Sequence, residues 1–328
     1  MWRAALGMAP VLALLVVGTA FRAGGSVAPR GVEAAAPEVA LAAAGVVDGG
    51  STARTADLLW GAHAADAAAR WTPLAGDAQI VALYGYPGVP VMGLLGAHDA
   101  AGAAREAVRR AAELDALNGP RRAVGALHLI VAVAQPLPMA DGSYLDRLAP
   151  EVIATYVEAA RAAGVLLFLD VQCGTADPLA EAERLAPYLA EPFVHLALDP
   201  EFAMRARGGV PGQRIGSLDG DELNAVQRYL GGLAVAERLP AKLLMVHQFR
   251  GEMLTRTELL RREPRVELVI DMDGWGGAQW KLMLFERFAL APHAQRSAIK
   301  LFEQWDAPLL SLGALLALPR PPDVVIYQ

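Results

Sequence analysis

From Gln79 onward this chain alternates short β-branched or leucine-rich runs with longer stretches of helical period, and that alternation leaves few folds open. It is the pattern of a parallel sheet whose strands are joined through helices. Residues 79–84, 126–134, 165–170, 194–199, 242–247 and 266–271 read as strands, with 307–312 and 324–327 as weaker candidates, eight in all. Helical segments fall between them at 103–117, 148–163, 178–189 and 222–238. Gly164 stops the second, and Asp177-Pro178 opens the third with a side-chain cap followed by proline at the first helical position. Runs such as Val165-Leu-Leu-Phe-Leu169 are apolar on both faces, so both faces must be covered. Open doubly wound sheets share this signature. Eight units fit the available length, however, and Tyr84-Gly-Tyr-Pro-Gly88 lacks the spacing of a dinucleotide phosphate loop. The expectation is an α/β fold, a single (β/α)8 TIM-type barrel over residues 72–328.

The first residues follow a different rule. Met1-Trp-Arg3 is a short positive start, and residues 4–21 form an apolar run, which together read as an export signal or an uncleaved membrane tether. Residues 1–28 are assigned to that signal or anchor. Residues 29–71, rich in Ala, Gly and Val without clear period, are assigned to a low-complexity linker. A secreted or cell-envelope location follows. No cysteine succeeds the apolar run, so lipid attachment of the bacterial lipoprotein kind is not available. Three lysines against twenty-six arginines fit a GC-rich bacterial source, by association only.

Composition removes several functions. A formal charge of −6 without a basic cluster gives no footprint for nucleic acid, since phosphate binding needs concentrated Lys and Arg. Cys173 is the only cysteine, which excludes an intramolecular disulfide and a cysteine-rich zinc site, and it reads as a buried thiol.

How the strands end is more informative. Four successive runs stop at ionisable groups: Asp170 with Gln172, Asp199 with Glu201, His247 with Gln248, and Asp271 with Asp273. In a parallel barrel these endings meet at one rim, where barrel enzymes place their chemistry. A single Asp after a strand commonly caps a turn, but turns do not require Glu, Gln and His as well. Carboxylates gathered at one rim repel, which raises the pKa of at least one and prepares it to donate a proton.

Asp199-Pro-Glu201 resembles the D-x-E ending of the fourth strand in chitinase-like and some lysozyme-like barrel glycosidases. That resemblance implies Glu201 as general acid and Asp199 as the group orienting an N-acetyl nucleophile. Ala197 and Val194 stand where the chitinase pattern carries further aspartates, so a two-carboxylate mechanism is kept open, with Asp273 or Asp170 as nucleophile or base. The implied partner is a carbohydrate.

Aromatic side chains beside the strand ends suit sugar stacking: Tyr84 and Tyr86, Phe202, Phe249, Trp275 and Tyr327. Gln172, His247, Gln248 and Asp271 complete the expected binding set. Residues 205–220, rich in Gly, could form a lid. No H-x-H follows the first strand and no H-E-x-x-H occurs, so neither metal nor other cofactor is expected. No G-x-S-x-G elbow is present for serine hydrolysis. Two alternatives stay open, a glycan-binding barrel without turnover and a metal-dependent hydrolase.

Overall fold

The computed structural model describes residues 78–328. The expected export signal or anchor, the expected linker and the expected barrel start at 72 lie outside the described residues. Eight parallel strands close into a barrel: β1 (Gln79–Gly85), β2 (Ala123–Ala134), β3 (Leu166–Val171), β4 (Val194–Leu198), β5 (Lys242–Gln248), β6 (Val266–Met272), β7 (Arg296–Leu301) and β8 (Val324–Tyr327). Closure is visible in the register, with Ala82 of β1 opposite both Ala126 of β2 and Ile326 of β8. A short antiparallel strand, Leu145–Arg147, extends the end of β2. No helix among the described residues is long and apolar enough to cross a membrane.

The connecting helices are α1 (Ala100–Asp115), α2 (Pro150–Ala163), α3 (Pro178–Arg184), α4 (Ala186–Leu189), α5 (Gly220–Ala236), α6 (Ala278–Leu284) and α7 (Leu312–Leu316). Local chemistry sets their ends. Asp177 accepts the Leu179 N–H at the start of α3, Asp219 and Glu222 form a reciprocal capping box on α5, and Gly164 adopts φ 71° to end α2. The segment expected as one helix over 178–189 divides at Leu185, because Pro187 removes a donor and restarts the chain as α4.

The seventh strand corrects the sequence reading: it is Arg296–Leu301 and not 307–312. Charged Arg296 and Lys300 interrupt its apolar run and hide it. Both are accommodated, Arg296 by an ion pair with Glu267 on β6 and Lys300 inside the barrel. Residues 307–312 instead lead into α7, which Ser311 caps; Pro308 has no N–H to give a sheet.

The link from β1 to α1 folds tightly against the strand end. Gly93 sits at φ +134°, and a Cβ there would lie 2.3 Å from the Tyr84 carbonyl oxygen. Gly93→Ala is therefore expected to cost at least about 2 kcal/mol, combining backbone strain with a backbone clash. Urea denaturation measures this; a loss below about 0.5 kcal/mol would mean the contact is not enforced.

Candidate active site

At the carboxyl ends of the strands lies a cavity of about 260 Å³. Asp199 and Glu201 follow β4 into it, Asp273 follows β6, Gln172 follows β3, and Tyr84 of β1, Lys300 of β7, Arg250 and Gln328 add further polar groups. Trp275, Trp280, Trp305, Phe202 and Phe249 supply an apolar wall. Beside Trp275, Gly276 adopts φ 143°, a backbone conformation that favours glycine.

Asp199 combines two roles that the sequence left as alternatives. Its Oδ1 accepts the Glu201 N–H at 2.9 Å, capping the short turn Pro200–Phe202, and the residue still lines the cavity. The Glu201 carbonyl accepts the Gly216 N–H at 2.6 Å, which fixes the other side of the turn. Residues 205–220 thus brace the site from outside. None of them lines the cavity, and Arg207 and Arg214 tie them down through Ser217, Glu252 and the Arg207 and Gly208 carbonyls, so the expected lid is a fastened loop.

Asp170, His247 and Asp271 are fully buried, each two residues before a cavity-lining residue of the same segment, and do not line the cavity themselves. The structure therefore places them away from the cavity wall where the direct substrate roles expected of them, including Asp170 as nucleophile or base, would be exercised. They form a network with the groups above. His247 Nδ1 lies 2.9 Å from Asp271 Oδ2 and 3.2 Å from Asp273 Oδ2, and its Nε2 is 3.4 Å from Asp170 Oδ2. His128 Nε2, on β2, is 3.5 Å from the same Asp170 oxygen. Lys300 Nζ is 2.9 Å from Asp273 Oδ2 and sits 3.7 Å from the centre of the Tyr84 ring.

Three further residues expected to bind substrate do not line this cavity. Tyr327 alternates away from Ile326, its neighbour in β8, and packs outside the barrel with the Arg110 guanidinium of α1 4.2 Å above its ring. Tyr86 is buried, its carbonyl closing a tight turn to the Val89 N–H. Gln248 is buried with its Nε2 on the Arg250 carbonyl and does not reach the cavity. Cys173 is buried, and that burial, aided by Asp199 and Asp170, pushes its thiol well up.

The electrostatics separate the carboxyl groups. Burial, reinforced by Asp199 and Asp273, pushes Glu201 well above the usual carboxyl range, with Lys300 and His247 opposing weakly. Asp199 is pushed up to about 7, first by burial, with His247 pulling it down and Asp273 and Asp170 pushing it up. For Asp273 burial also pulls upward, but Lys300 and His247 outweigh it and hold the carboxyl low. Asp170 is held low in the same way by His247 and His128. The arrangement can therefore present one protonated and one ionised carboxyl to a common ligand.

Sequence reasoning missed Lys300, Arg250, Trp280 and Trp305 among the lining residues. A signal existed for Lys300, because a lysine inside Ser297-Ala-Ile-Lys-Leu301 must be paired if the run is buried. Among the described residues, two side-chain groups could hold a metal ion, His128 with Asp170 and His247, and His247 with Asp271 and Asp273. No protein-family model matches this chain, and no curated protein matches it.

Proposed function

We propose that the protein is an exported glycoside hydrolase acting on a polysaccharide or cell-wall glycan, with Glu201 as general acid and Asp273 as nucleophile or base. One observation carries this reading. A single aromatic-walled cavity holds a carboxyl group pushed toward its protonated form, Glu201, and another in an ion pair with a buried ammonium, Asp273 with Lys300 at 2.9 Å. Glycosidic cleavage needs that division of labour, a proton for the leaving oxygen and a carboxylate facing the anomeric carbon or its water. The tryptophan faces suit the C–H faces of a pyranose, and Gln172 and Asp199 offer partners for its hydroxyl groups.

Reducing-end release from a panel of glycans, with peptidoglycan and chitin fragments included, tests the activity. Release from one class is expected. Saturable binding without release from any member would make this a glycan-binding barrel instead. Fractionating cells into medium, envelope and cytoplasm tests export.

The pH dependence follows from the neighbours of the acid. Activity should fall on the alkaline side as Glu201 loses its proton. Ionised Asp199 raises Glu201, so removing that charge must lower it. Asp199→Asn keeps an oxygen for the Glu201 N–H and should move the alkaline limb of kcat/KM to lower pH, by on the order of one unit. A limb that stays in place or moves upward would contradict the assignment.

A further inference from the structure

We propose that His128, Asp170 and His247 form a binding site for a divalent first-row transition metal, of the zinc class, sealed beneath the cavity floor. The three residues come from β2, β3 and β5, and all are wholly buried. Nε2 of both histidines and both oxygens of Asp170 have no partner of good hydrogen-bond geometry, although the Tyr84 hydroxyl also acts on Asp170. Buried polar groups are ordinarily satisfied, so this cluster departs from the usual pattern.

The distances identify what they suit. His128 Nε2 and His247 Nε2 lie 3.5 Å and 3.4 Å from one Asp170 oxygen, longer than a charge-assisted hydrogen bond of about 2.7–2.9 Å. Ligand atoms about 2.0–2.1 Å from a tetrahedral ion stand about 3.3–3.4 Å from one another, which matches. Second-sphere geometry agrees. His247 Nδ1 is 2.9 Å from Asp271, the carboxylate partner that fixes the tautomer and leaves the Nε2 lone pair facing Asp170.

Tyr84 separates this cluster from the cavity. Its ring packs edge-on against both imidazoles, 5.0 Å and 6.0 Å between centroids, while the residue itself lines the cavity. The ion would therefore brace the barrel interior and would not touch the glycan. This inference stands independently of the hydrolase reading.

Elemental analysis of protein purified through a non-chelating tag is expected to give about one equivalent of metal that survives dialysis. After unfolding with a chelator and refolding with Co2+, visible absorption of bound cobalt should saturate near one equivalent. Asp170→Asn should abolish both signals, and Glu201→Gln should leave both intact. Should the Asp170 variant fail to fold, the metal content and cobalt titration of the wild type decide alone. Wild-type protein that is metal-free as purified and gives no cobalt spectrum overturns the site and leaves the glycosidase proposal untouched.

Discussion

Glu201→Gln is expected to lower kcat/KM on an unactivated glycan by about 10²- to 10⁴-fold, the usual worth of a positioned general acid. The replacement is nearly isosteric, and the backbone contacts of residue 201, its N–H on Asp199 and its carbonyl on Gly216, do not involve the side chain. Ligand binding should therefore survive within a few-fold. The loss should also depend on the leaving group. An aryl glycoside that departs as a stable phenolate needs no proton, so the variant should retain most of its rate on that substrate. Stability supplies an independent check of sign. A carboxyl whose folded pKa is raised costs the fold increasing free energy as pH climbs from the unfolded value toward the folded one. Glu201 is of that kind, so the Gln variant should be equal to the wild type near pH 4 and more stable than it at pH 8. Undiminished turnover of the natural glycan, or an equal loss on activated and unactivated substrates, would remove Glu201 from the role of acid.

Much of this site was legible because strand endings in a parallel barrel share one rim. Asp199, Glu201 and Asp273 could be gathered from three separate runs on that argument alone, and the structure brings them to one cavity. Depth was not legible. Two residues along a strand separate Asp170 from Gln172 and Asp271 from Asp273; in each case the first is buried and the second reaches the cavity. Period two gives a shared direction but not the level at which the cavity floor lies. Tyr327 lies away from the cavity for the complementary reason. The last strand offered too few residues to fix which parity faces inward, and the structure turns Tyr327 outward beneath Arg110.

The lost seventh strand and the lost lysine are one error. A charge in an apolar run was read as its end, whereas Lys300 is a buried charge placed against Asp273. The sequence carried a hint of this. It uses arginine almost everywhere, and each of its three lysines, Lys242, Lys281 and Lys300, is buried. A compact ammonium with three donors can satisfy carbonyls at a crowded point where a planar guanidinium cannot fit. Lys242 does this at the amino-terminal end of β5, donating to the carbonyls of Glu191 and Val194.

Lys281 gives the second large effect. Replacing it by Met is expected to destabilise the protein by about 3–5 kcal/mol, because a buried carboxylate loses its partner. The Lys281 Nζ lies 3.0 Å from Asp306 Oδ2 and donates to the carbonyls of Gly274 and Lys300, both at 2.6 Å. Neither charged side chain is exposed. Met fills a similar volume but leaves two carbonyls and a carboxylate without that donor. Asp306 would keep the N–H groups of Gly276 and Phe302, at 2.8 and 2.9 Å, which argues for the lower half of the range. In a domain of this size about 3 kcal/mol corresponds to a fall in Tm of roughly 6–12 °C. The same ammonium ties the loop after β6, which carries Trp275, to the end of β7, which carries Lys300. Loosening it should raise KM for the glycan more than it lowers kcat, since the aromatic wall moves while Glu201 stays in place. A Lys281→Met, Asp306→Asn pair closes the cycle: the double variant should be less destabilised than the sum of the single ones by at least about 1 kcal/mol. Strict additivity would show that the two side chains, although adjacent, do not depend on one another.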